Sequence, residues 1–176
     1  MDSALTVITI ILLGVLVYQD INYRAVSWLL FPILFFLFLF ATLLEENFRI
    51  ALEYTLTNCL FILFQISLVY LYFCFKHKKL INITNNLIGI GDLLFFIAVT
   101  PYLALPLFVL YIVTGMFLTL LVYSAFVWFK RIDRHSYPIP LAGILAGYMI
   151  ILKTGQWLFP ELINSFIVPF DKYLFN

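Results

Sequence analysis

From residue 3 to residue 152 the chain keeps returning to long, almost uncharged apolar stretches separated by short polar breaks. A bilayer core about 30 Å thick is crossed by roughly 20 apolar residues in a helix. Several of these stretches reach that length, so lipid is the solvent that the sequence is built for. Composition agrees: of 176 residues 65% are apolar and 11% charged, with 20 Phe and 11 Tyr. A soluble domain of this size carries more charge and fewer long apolar runs. The expected fold is all-α: a polytopic membrane helix bundle of about six transmembrane helices.

The breaks set the expected boundaries. The six helices fall near residues 3–18, 26–44, 50–75, 87–100, 107–129 and 138–152. A polar stretch over 19–24 ends the first. Glu45, Glu46 and Asn47 end the second. Lys76, His77, Lys78 and Lys79 end the third, and residues 81–86 form a loop. The prolines of 101–106 make a tight turn. Lys130, Arg131, Arg134 and His135 follow the fifth helix. Residues 1–153 make the transmembrane domain. Residues 154–176 make an interfacial tail with room for a seventh short helix. The first helix is read as retained, because it starts with Asp2 rather than a basic residue and lacks a small-residue cleavage site near Asp20.

Positive charge predicts the orientation. With the N-terminus outside, the inner loops hold Arg24, Lys76, Lys78, Lys79, Lys130, Arg131 and Arg134. The outer regions hold Arg49, Lys153 and Lys172, so the balance is seven against three. The positive-inside rule favours that arrangement. A net charge of +1 offers no basic surface for nucleic acid. Cys59 and Cys74 are too few and too widely spaced for a zinc site, so neither a metal nor a cofactor is expected.

In this topology Asp20 closes the first helix on the inner side, and Asp92 lies just inside the fourth helix at the same end. An acid in apolar surroundings is costly, and Leu93, Leu94, Phe95 and Phe96 beside Asp92 give no relief. Each acid is the other's natural partner at that depth. Two adjacent carboxylates hold one proton between them. The ionised member can take a proton from water while the protonated one polarises a peptide carbonyl. Gly89 and Gly91, just before Asp92, let another backbone come close and weaken the helix start. Such a pair also serves plain helix contact.

The run Gly89-Ile90-Gly91-Asp92 resembles the GxGD signature of membrane aspartic peptidases. The segment Asp20-Ile21-Asn22-Tyr23-Arg24-Ala25-Val26 is similar to the first acidic motif of the type IV prepilin leader peptidases, and Pro138-Ile139-Pro140-Leu141 resembles the opening of that family's last helix. The resemblance spans nearly the whole chain in helix order. It implies removal of a short basic leader from prepilin-like or pseudopilin precursors at the cytoplasmic face of the cell (inner) membrane. Asp20 and Asp92 would then be catalytic, with Gly89 and Gly91 shaping the active-site backbone. Departures are Ser27 and Trp28 where the family often has Pro-Asn, and Leu94 where it often has Lys. The family's cysteine-rich insert is also missing, so no methyltransferase activity is expected.

Arg24, four residues after Asp20, is within reach of it on a helical turn. It either tunes that acid, contacts substrate or simply anchors topology. The basic cluster 76–79 reads as a topology signal, His135 as solvated, and Gln65 as an interhelical hydrogen-bonding group. Tyr23, Trp28, Trp128 and Trp157 read as membrane-interface residues. Two further functions compete with the peptidase: a degenerate relative acting as a membrane scaffold or assembly partner, and a small proton-coupled transporter using Asp92. The second lacks an internal repeat and a polar path at the midplane.

Overall fold

The computed structural model describes residues 3–77, 89–130 and 140–158. Among them all regular structure is helical, in the order α1 (Ser3–Tyr23), α2 (Leu30–Glu45), α3 (Phe48–His77), α4 (Ile90–Val99), α5 (Leu105–Lys130) and α6 (Leu141–Leu158). Ser3–Tyr23, Phe48–Lys76, Leu105–Ala125 and Leu141–Leu158 are long and apolar enough to cross a membrane, while Leu30–Glu45 and Ile90–Val99 are shorter apolar helices. The protein is a helical membrane protein. Large apolar side chains such as Leu56, Leu60, Leu63 and Phe64 on α3 and Val113, Phe117 and Leu120 on α5 are exposed, which only lipid or further protein makes tolerable.

Prolines and hydroxyls explain how these helices begin, end and stay satisfied. Pro32 is the third residue of α2 and Pro106 the second of α5, positions whose N–H groups have no helical acceptor. Pro101 follows Thr100 at the end of α4, where a helix must stop. Within the spans, threonines turn their hydroxyls back to the preceding turn: Thr9 donates to Leu5 O, Thr55 to Ala51 O and Thr119 to Gly115 O. Thus no bare hydroxyl faces hydrocarbon at these positions.

Several boundaries differ from the sequence reading. The first helix runs on to Tyr23, so Asp20 lies inside its last turn. Residues 19–23 are polar but compatible with helix, and the chain leaves the helix only at Arg24, whose φ is 52°. α2 starts at Leu30 rather than at 26. α3 continues through Lys76 and His77, because lysine is a good helix former. α6 reaches Leu158 instead of stopping near 152. Lys153, read as an outer-region charge, is therefore inside α6 and almost fully buried, at 1% exposure. The expectations for residues 78–88, 131–139 and 159–176 lie outside the described residues; these include Lys78, Lys79, Arg131, Arg134, His135 and the start of the fourth helix at 87.

The chain divides into two compact units. The first, residues 27–105, holds α2, α3 and α4. α2 packs mainly on α4. Phe31, Leu34, Phe38 and Ala41 form the buried face of α2, and Phe95, Phe96, Ala98 and Val99 that of α4. The turn after α4 is tied down by side chains: Asn58 Nδ2 donates to Thr100 O at 2.8 Å and Leu103 O at 2.7 Å. Thr42 Oγ1 donates to Pro101 O at 2.8 Å, and the Tyr102 ring rests on Phe38 with centroids 5.1 Å apart.

The second unit joins residues 2–26 to 106–176. α1 and α6 pack extensively on each other. The end of α1 meets the start of α6, since Asp20 bonds to Gly143, so the two helices run antiparallel. α5 packs beside α6 through Tyr111, whose hydroxyl donates to Leu145 O at 2.7 Å and whose ring stacks on Tyr148 at 5.4 Å. Gly115 lets α5 come close: a Cβ there would collide with the end of the Leu145 side chain.

Candidate active site

The Asp20 site starts with a helix that cannot cap itself. Pro140 is the residue before α6, and its carbonyl accepts the first helical bond, from Ile144 N–H at 3.2 Å. Its ring offers no oxygen to the free N–H groups of the first turn. Asp20 supplies one from another segment: the Gly143 N–H donates to Asp20 Oδ2 at 2.6 Å. A carboxylate at the third position of a helix, facing the positive end of its dipole, is a favoured arrangement. Glycine is required there. A Cβ on Gly143 would stand 2.9 Å from Asp20 Oδ2 and 3.0 Å from Asp20 Cβ.

Arg24 follows this acid where α1 ends. Its backbone N–H donates to Asp20 O at 3.2 Å, completing the last turn of α1, and its charge acts on the Asp20 carboxylate. The left-handed backbone at Arg24 is the conformation that ends many helices, though glycine or asparagine usually takes it.

Asp92 is the third residue of α4, with Gly89 as the helix cap. Its carboxylate folds back over that cap, since a Cβ on Gly89 would lie 2.8 Å from Asp92 Oδ2. Gly91 behaves differently: a Cβ there would meet only Phe31 Cζ, at an ordinary 3.9 Å. A side chain at 89 would therefore push the Asp92 carboxylate aside, whereas alanine would fit at 91.

The acids belong to different units, Asp92 to residues 27–105 and Asp20 to the unit that includes residues 2–26. The structure bonds the Asp20 carboxylate to Gly143 and sets the Asp92 carboxylate beside Gly89. Gly143 escaped the sequence reading. Its signal was present in Pro140-Leu141-Ala142-Gly143, where a proline opens a helix whose second and third residues are small. Among the described residues no three His, Cys, Asp or Glu side chains cluster as metal ligands. Cys59 and Cys74 are free thiols, partly buried in α3.

No family model matches this chain, and no curated protein or solved structure is significantly similar to it.

Proposed function

We propose that the protein is a membrane-embedded aspartic endopeptidase that removes the basic leader from prepilin-like precursors. One acid, ionised, draws a proton from water, while its protonated partner polarises the scissile carbonyl. Asp20 and Asp92 are the pair, and the reading requires their carboxylates to come within reach of one water. The observation that carries it is that each acid sits at the N-terminal turn of an apolar helix, its carboxylate against a glycine where a Cβ would meet it: Asp20 at Gly143, Asp92 at Gly89. A substrate strand must lie close along the acids to be cut, and a glycine beside each acid keeps side-chain bulk away from it. The proposed orientation keeps the N-terminus outside and the acids at the cytoplasmic face of the cell membrane, following the basic loops.

The test is leader removal from a co-expressed precursor carrying a basic leader and an apolar helix. Asp20→Asn and Asp92→Asn should each leave the precursor uncut while the protein still inserts. A single variant that keeps cutting ends the proposal.

A second reading is favoured by one feature. The Asp20–Gly143 bond gives this acid a structural task that needs no chemistry, as a scaffold protein of the same fold would use it. Purified protein that leaves every precursor intact across the pH range would select the scaffold.

A further inference from the structure

The seam between α1 and α6 is polar at both ends and apolar between them. Thr6, Thr9, Leu13 and Leu16 are the buried residues of α1. Their spacings of three and four continue to Asp20, so all five lie on one face. On α6 the buried stripe is Ala142, Leu145, Ala146, Met149 and Lys153, with Gly143 beside it. Lys153 is 1% exposed, Thr6 1% and Thr9 0%.

The bond between Asp20 and Gly143 fixes what lies opposite what. Lys153 follows Gly143 by ten residues, which is about 15 Å of helix. Thr9 precedes Asp20 by eleven residues, about 16 Å in the antiparallel direction. By helix rise alone, Lys153 stands level with Thr9, one turn short of Thr6, with Leu13, Leu16, Ala146 and Met149 between the two polar ends. A lysine inside an apolar span is costly unless polar groups hold it. Sliding α1 by one turn, about 5.4 Å, would move the threonines away and set Leu13 towards the lysine. Buried polar groups in helical seams serve best to fix register.

We propose that Lys153 is a positioning residue that sets the register of α1 against α6 and so delivers the Asp20 carboxylate to the Gly143 N–H. Only its catalytic consequence rests on the peptidase reading. The apolar seam alone would tolerate a slip, and Lys153 forbids it.

The chain contains two Ala–Gly pairs, Ala142-Gly143 and Ala146-Gly147. Labelling alanine carbonyls with ¹³C and glycine nitrogens with ¹⁵N in the full chain in lipid nanodiscs thus isolates two amide signals, and Asp20→Asn identifies that of Gly143. Lys153→Met keeps length and bulk without the charge. It should move the Gly143 proton upfield as the short bond to Asp20 is lost, and Lys153→Arg should restore it. Leader removal should then fall roughly 10–100-fold in kcat for Lys153→Met, as expected of a misplaced catalytic group, with KM unchanged and activity recovered in Lys153→Arg. A Gly143 signal that stays in place in Lys153→Met overturns the proposal, whatever the activity. If no variant and not even the unaltered protein cuts the precursor, the peptidase reading falls, and the amide signal still decides the role of Lys153. Should Lys153→Met fail to accumulate in the membrane, the double variant Thr6→Val, Thr9→Val is read in the same way.

Discussion

Asp20 and Asp92 are both held at the first turn of a helix, by opposite means. Asp92 lies in the first turn of its own helix, its carboxylate beside a glycine three residues back. Asp20 caps a helix that starts 121 residues further on, through a bond between residues 123 apart in sequence. The first arrangement is local and forms whenever α4 forms. The second exists only when α1 and α6 are docked in register. The comparison teaches that the same side chain, at the same kind of helix end, reports local folding at 92 and tertiary assembly at 20. Substitutions in the two places should differ accordingly.

The largest effect is expected at Gly143. Alanine there forces atoms together at 2.9 and 3.0 Å. Overpacking of this kind costs about 1–3 kcal/mol, and the displaced bond to a charged acceptor adds about 1.5–3 kcal/mol. Gly143→Ala should sharply lower the temperature at which the detergent-solubilised protein aggregates, and should match Asp20→Asn in activity. Gly91→Ala, next to the other acid, should change the aggregation temperature little. Equal losses at the two glycines would break the contrast.

Asn58 extends the comparison from helix starts to helix ends. A helix start lacks acceptors and takes a carboxylate; a helix end lacks donors and takes an amide. Asn58 gives both its N–H groups to Thr100 O and Leu103 O while fully buried. Asn58→Leu should therefore cost about 2–4 kcal/mol, two carbonyls being left without donors. The same readout checks it. The loss should appear as faster hydrogen exchange at the turn after α4, with the Gly143 amide unchanged.

The acids themselves come next. Asp92→Asn alters an acid at a helix N-terminus, where a charge is worth at most about 0.3–1 kcal/mol. Asp20→Asn keeps an acceptor for Gly143 but exchanges a charged hydrogen bond for a neutral one, a loss of about 1 kcal/mol. Neither is large enough to unfold the protein, so abolished cleavage in both would speak for chemistry. Asp20→Ala, which removes the acceptor entirely, should destabilise more than Asp92→Ala. The order of the two alanine variants on heating is the direct test of tertiary against local capping.

What was legible in the sequence follows the same division. The helices announced themselves because lipid demands apolar length, and both acids stood out because an acid in apolar surroundings needs a reason. Gly89 and Asp92 stand within four residues and were picked out together, though not the fold of the carboxylate back over Gly89. The bond to Gly143 could not, since nothing local says which distant helix start Asp20 will meet. Lys153 was misplaced for a related reason. A lone lysine after an apolar run looks like the end of a span, and only the packing of α1 shows that the helix continues with the lysine inside. The end of α1 was set too early, because residues 19–23 are polar without being helix-breaking.

The smallest effect separates backbone from charge at the end of α1. Arg24 holds a φ of 52°, a conformation that costs a residue with a Cβ about 1 kcal/mol. Asn tolerates it better, so Arg24→Asn should relieve part of that strain and raise the aggregation temperature by a degree or two. It also removes the positive charge that acts on Asp20. Arg24→Lys keeps the charge and the strain, and should leave stability unchanged. If Arg24→Asn is stabilised yet cleaves more slowly, while Arg24→Lys matches the unaltered protein in both, the guanidinium serves Asp20 through its charge and the backbone merely endures it. A fall in stability for Arg24→Asn at high as well as low salt would mean that side-chain contacts of Arg24 outweigh the strain. The end of α1 would then be fixed by packing, and the contrast with the self-contained start of α4 would be stronger still.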